Sequence, residues 1–296
     1  MKTDLIYGVE DRPPFKDAIF AALQHLLAIF VAIITPPLII AGALKLDVEK
    51  TSFLVSMSLF VSGISTFIQC KRFGPVGARL LCIQGTSFSF IGPIITTGLM
   101  GGLPLIFGVC MAAAPVEMVI SRTFRYMRNI ITPLVSGIVV LLIGLSLIKV
   151  GVVSCGGGYG AMDNGTFGSW ENLSIAGLVL LSVLFFNRSK NKYLRMSSIV
   201  LGICLGYGLA FALGKVDMSS LNLNLLTSFN IPMPFKYGLD FNISSFIAIG
   251  LVYLITAIEA TGDVTANSMI SGLDIEGEGY VKRVSGGVLA DGFNSF

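Results

Sequence analysis

Charge is what this sequence has least of. Only 12% of its residues are Asp, Glu, Lys or Arg, against about 25% in an ordinary soluble domain, which excludes a typical water-soluble globular fold. The net charge of +3 is too small to mark a nucleic-acid surface, so no nucleic-acid partner is expected. Histidine occurs once, at His25, and the five cysteines (Cys70, Cys82, Cys110, Cys155, Cys204) form no Cys-x-x-Cys pair. Zinc is therefore left without a ligand set, and the thiols read as small buried hydrophobes. The glycine cluster at 156–160 lacks the Lys-Ser/Thr that follows in a phosphate loop, so it reads as a flexible exterior loop. No metal and no organic cofactor is expected. The first apolar stretch has no small-residue cleavage pattern at signal-peptide distance, and it reads as a retained span.

What the chain has in abundance is apolar surface. Hydrophobic residues make up 54% and the mean hydropathy is +0.83, the composition of an integral membrane protein. The 34 glycines suit helices packed through small side chains, because lipid supplies no hydrophobic force between them. Runs long enough to cross about 30 Å of hydrocarbon lie near 18–44, 51–70, 101–121, 130–150, 172–187, 194–214 and 243–271. A shorter, irregular one lies near 76–98, and another begins at about Val284. The fold class is all-α and membrane-spanning. With the N-terminus in the cytoplasm, fifteen of the 20 Lys and Arg fall on the cytoplasmic side and five (45, 50, 149, 215 and 236) outside. That asymmetry predicts a multi-pass inner or plasma membrane protein with a cytoplasmic N-terminus.

Two features point to chemistry. Glu259 and Asp263 stand four residues apart in an apolar run without Lys or Arg. On a helix they share one face, and a charge at membrane depth costs at least about 2.5 kcal/mol, so such acids mark an ion, proton or substrate path. Two carboxylates this close in low dielectric titrate as a pair. The second feature is the stretch RLLCIQGTSFSFIGPIITTG (79–98), where Gly85 and Gly92-Pro93 bracket a run rich in Ser, Thr and Phe. Irregular backbone at membrane depth persists only where it is buried in protein or lines a cavity, and a broken span is a pointer to a transporter's binding site.

The segments QHLLA (24–28), IQGTSFSFIGP (83–93), ITPLVSGIVVLLIGLSLI (131–148) and AIEATGDVTANSMISG (257–272) together resemble the nucleobase-ascorbate transporter family, the nucleobase:cation symporters. Within it, the opening EDRPP (10–14), the Gln-Gly-Thr-Ser-Phe stretch and the loop GGGYGAMDNGTFG (156–168) are most similar to the bacterial xanthine and uric acid permease branch. The resemblance implies an inverted-repeat secondary transporter of seven plus seven segments, with a core domain that holds substrate and a gate domain that supports it. It also implies proton-coupled uptake of a purine nucleobase, xanthine or uric acid, by alternating access, with the proton as coupling ion and a homodimer as the full-length assembly. On that plan, residues 1–17 are a cytoplasmic segment, 18–121 core spans, 130–214 gate spans and 243–296 the start of the second repeat. The family's Gln/Glu-Asn-x-Gly signature has no counterpart up to Phe296, so the chain is expected to be a fragment of a complete carrier.

Residue by residue, the resemblance implies that Glu259 accepts hydrogen bonds from ring N–H groups of the base. It makes Asp263, Asp291 and Glu259 itself groups of proton coupling, and Ser89 and Phe90 the facing half of the site, with main-chain N–H and an aromatic face for the base. His25 and Gln24 are expected to organise the site by hydrogen bonds, and Gln84 and Thr86 to hold the broken backbone. Glu117, near the cytoplasmic end of its span, is expected to pair with a loop arginine near Ser121-Arg122.

Two other readings differ in class. An intramembrane aspartyl protease using Asp263 and Asp291 would need a Tyr-Asp pair and a Gly-x-Gly-Asp loop, whereas Asp263 follows Ala260-Thr261-Gly262 and Asp291 follows alanine. The chain is therefore not expected to be an enzyme. An inactive remnant or assembly partner is the remaining alternative, and uptake by cells expressing residues 1–296 alone separates it from a carrier.

Overall fold

The computed structural model describes residues 7–127, 133–191, 194–195, 197–216 and 235–295. Lys2, Arg128 and Lys192 of the cytoplasmic cation set, and the side chain of Gln24, lie outside the described residues.

Among the described residues the structure is helical, without strands. Helices among these residues are α1 (Phe15–Ala43), α2 (Val48–Lys71), α3 (Ile91–Met127), α4 (Pro133–Cys155), α5 (Gly158–Asp163), α6 (Trp170–Asn187), α7 (Ser198–Ala212), α8 (Ile243–Ile270) and α9 (Gly277–Ser295). Among the described residues four stretches are long and apolar enough to cross a membrane: Val48–Lys71, Phe88–Thr123, Trp170–Asn187 and Ile243–Ile270.

The helices begin where the chain can cap them. Asp47 accepts the Lys50 N–H at 2.8 Å and opens α2, and Asn242 accepts the N–H groups of Ser244 and Ser245 to open α8. A straight helix as long as α3, 37 residues, would reach about 55 Å, well beyond a bilayer's hydrocarbon. It is broken instead at Gly101 and Gly102, where φ of +68° at Gly102 is a conformation that favours glycine. The break separates a short arm, 91–100, from a full-length one, as the two runs either side of residues 98–101 predict.

The chain folds into two compact units. The first comprises the described residues of Met1–Pro13, Ile33–Ser146 and Met233–Phe296; the second those of Pro14–Ala32 and Leu147–Pro232. In the first unit, α9 packs on α2, α3 and α8, and its glycines let it come close. Gly77 N–H donates to the Gly286 carbonyl at 2.8 Å, and a Cβ at Gly287 would stand 2.7 Å from Val264 Cγ2. Polar ties add register: Ser285 Oγ donates to Ser121 O at 2.5 Å, and Ser65 Oγ donates to Asn294 Oδ1 at 2.7 Å. Two apolar clusters complete it, one around Ala78, Val264, Val284 and Val288, the other around Val109, Ala113, Ile249 and Tyr253.

In the second unit α6 and α7 pack through small residues. A Cβ at Gly202 would meet Val183 Cγ2 at 2.6 Å, the close approach expected where lipid gives helices no other reason to associate.

Two expectations need correction. The last helix begins at Gly277, not near Val284, because its opening GEGYVKR is polar and a hydropathy run cannot register it. The glycine-rich stretch 156–168 is not a loop throughout: α5 forms within it, and Asn172 Nδ2 donates to the carbonyls of Gly156 at 3.0 Å and Thr166 at 3.1 Å, closing it into a fixed turn.

Candidate substrate site

Between α2 and the short arm of α3, residues 77–87 run without helical structure through the first unit and end in a single 3-10 turn, Phe88–Phe90. Irregular backbone at this depth must be satisfied by its neighbours, and α2 does this. Gln84 N–H donates to Thr66 Oγ1 at 2.9 Å, and the Gln84 carbonyl accepts from Ser62 Oγ. Thr86 Oγ1 donates to Ile33 O at 2.8 Å. The Gln84 backbone and the Thr86 hydroxyl thus sit where the broken segment is anchored, and the anchors on α2, Ser62 and Thr66, are not among the residues singled out in the sequence. Their spacing of four residues on one helix face was the available signal.

Ser87 caps the turn: its hydroxyl accepts the Ser89 N–H at 3.3 Å and donates to Glu259 Oε2 at 3.4 Å. Ser89 Oγ reaches the same oxygen, also at 3.4 Å. Both distances are long for hydroxyl bonds, so the carboxylate is oriented without being fully engaged. A carboxylate offers about four lone-pair positions, and the serines address one oxygen. The remainder is suited to adjacent N–H donors of a planar ligand.

A cavity of about 330 Å³ adjoins this arrangement, within the range of roughly 300–1,000 Å³ usual for small-molecule sites. Ser87, Thr86, Phe90, Tyr253 and Asp291 are on its wall. Glu259 adjoins this wall through its bond from the Ser87 hydroxyl. Phe90 is held edge-on by Tyr253, with ring centroids 4.9 Å apart and planes at 64°, and the Tyr253 hydroxyl donates to Cys110 O at 3.2 Å. Tyr253 and Ser87, neither expected from the sequence, therefore fix the two groups that were.

The structure brings Ser89, Phe90, Gln84, Glu259 and Asp291 into one region of the first unit. Asp263 lies within electrostatic reach of Glu259, on an exposed part of α8. His25 is exposed, on the part of α1 that belongs to the second unit. Glu117 requires a correction, for among the described residues it pairs with no loop arginine. It is 0% exposed, its carboxylate oxygens have no hydrogen-bond partner, and it faces α9 at Gly292. Positions five apart on a helix are about 140° apart, so Arg122, which is exposed, points elsewhere.

The profile of the Permease family, Xan_ur_permease, matches residues 16–296, nearly the whole chain. The chain belongs to the nucleobase-ascorbate transporter family. Xanthine permease XanP of Escherichia coli is 48% identical over 305 residues, taking in 99% of this chain and 65% of that protein. Xanthine permease XanQ of the same organism is 47% identical over 306 residues, with 99% and 64% covered. Nucleobase transporter PlUacP of Paenibacillus larvae is 33% identical over 279 residues, with 92% and 63% covered. The chain thus spans about two-thirds of the length of these family members. The matched family is one of permeases, and the long apolar helices are those of a multi-pass membrane protein.

Proposed function

We propose that the chain is the substrate-holding part of a proton-coupled purine nucleobase carrier, with xanthine or uric acid as substrate. The observation that carries this is Glu259, turned by the Ser87 and Ser89 hydroxyls beside a cavity walled by Phe90. A purine is flat and carries N–H donors on its edge. Carboxylate acceptors and an aromatic face match it, and stacking on a ring is worth roughly 1–3 kcal/mol. Identity of 48% to a xanthine permease supports xanthine over other bases.

On this reading the first unit is the core of the carrier, and Asp263 and Asp291 take part in coupling. Burying a charge in a membrane is costly, so a site that holds acids gains by carrying protons with its substrate. Rocking of core against gate exposes the site alternately, in a homodimer seated in the inner membrane with the N-terminus in the cytoplasm. His25 and Gln24 keep their site-organising assignment.

Uptake of labelled xanthine by cells expressing the protein from its complete gene tests the reading. Accumulation that collapses on adding a protonophore is expected; accumulation that persists overturns the coupling, and no xanthine uptake at all overturns the substrate.

A further inference from the structure

The second arm of α3 carries an acid for which the site described above has no use. Glu117 is fully buried and neither of its carboxylate oxygens has a hydrogen-bond partner, a rare condition for a polar side chain. An ionised carboxylate without partner or counter-charge is far too costly in such a place, whereas the neutral acid keeps an O–H to donate.

Its surroundings bear this out on each packed element. From α9, Gly292 brings its backbone against the acid: a Cβ there would stand 3.5 Å from Glu117 Cβ and 3.0 Å from Met118 Cγ. The preceding residue is Asp291, a polar neighbour of Glu117 and part of the cavity wall. From α8 come Thr256, Glu259 and Tyr253. The Thr256 hydroxyl donates to Tyr253 O at 3.2 Å, and the Tyr253 hydroxyl to Cys110 O. On α3 itself Arg122 faces away, and on α9 Arg283 bonds Ser268 and the Asp274 carbonyl. Among the described residues, then, acids and hydroxyls face Glu117, and Asp291 lies between it and the cavity.

We propose that Glu117 is a second proton carrier behind the nucleobase site, sharing one proton with Asp291. In the transfer, the Glu117 O–H bond breaks as an O–H bond forms on the Asp291 carboxylate, and the negative charge moves from Asp291 to Glu117. Return of the proton restores the first state, so nothing is consumed. The proposal rests on the coupled-uptake reading and adds to it a residue that touches neither substrate nor cavity.

The test uses the protein from its complete gene in proteoliposomes, comparing wild type with Glu117→Gln, which keeps shape and hydrogen-bonding but cannot carry a proton. Expected is preserved nucleobase exchange across the membrane, with proton-driven accumulation reduced roughly 5- to 150-fold, the usual size of a coupling effect, and its pH dependence flattened. Infrared difference spectra of purified protein should show a protonated-carboxyl C=O band in wild type that Glu117→Gln lacks. Wild-type accumulation and pH profile in the variant, or loss of exchange along with accumulation, overturns the proposal. So does an infrared band unchanged by the substitution. If wild type itself accumulates no nucleobase, the coupled-uptake reading fails by that result, and the infrared band alone decides whether Glu117 holds a proton.

Discussion

Gly286→Ala tests whether the site depends on the close approach of α9. The Gly286 carbonyl accepts the Gly77 N–H at 2.8 Å, and an added Cβ would overlap the Gly77 carbonyl oxygen and stand 3.1 Å from Pro75 O. Both obstacles are backbone and cannot rotate away. Overpacking of this kind costs about 1–3 kcal/mol, and losing the hydrogen bond about 1 kcal/mol more. Alanine's better helix propensity returns about 0.5–1 kcal/mol. The net loss is about 1–3 kcal/mol, roughly 5- to 150-fold in the folding equilibrium. Gly250→Ala in α8 is the control, since nothing lies within 4 Å of its added Cβ, and it should be neutral or stabilising. Thermal denaturation of purified protein in detergent, followed by tryptophan-independent fluorescence of a thiol-reactive dye, reads the difference. Gly286→Ala should melt several degrees below wild type and Gly250→Ala at or above it. If both melt together, the account of α9 packing is wrong.

Phe90→Leu removes the aromatic face and the edge-on contact with Tyr253, so half-saturation of nucleobase uptake should rise by roughly 5- to 150-fold, the equivalent of a lost stacking contact of about 1–3 kcal/mol. Half-saturation unchanged in a concentration series would remove Phe90 from the site. At the start of α2, the Lys50 ammonium and backbone N–H hold the Asp47 carboxyl below its ordinary value of 3.8. A depressed carboxylate stabilises the fold above its unfolded pKa and loses that contribution as pH falls through the folded one, so amide exchange at the first turn of α2 should quicken as pH falls below 3.8. In Asp47→Asn that acid-dependent step should vanish.

What the sequence revealed and what it hid follow from the range of each signal. The Glu259 and Asp263 pair was legible because costly charge in an apolar run stands out, and the broken span because glycine and proline interrupt hydropathy locally. Ser62 and Thr66, by contrast, read as ordinary small residues of an apolar helix, and only the fold shows that they satisfy the Gln84 backbone. Tyr253 was hidden for the same reason, since its role is to hold Phe90, distant in sequence. Glu117 was misjudged because nearness to Arg122 along the chain says nothing of the helix face, and that face meets α9. The polar start of α9 escaped a hydropathy reading altogether.

The central claim is that the Glu259 carboxylate, set by Ser87 and Ser89, receives the nucleobase. Equilibrium binding of labelled xanthine to purified protein, wild type against Glu259→Gln, tests it most directly. A charged hydrogen bond is worth about 1.5–3 kcal/mol, so the account predicts binding weakened by roughly 10- to 150-fold with the thermal midpoint little changed. Wild-type affinity in Glu259→Gln would contradict it.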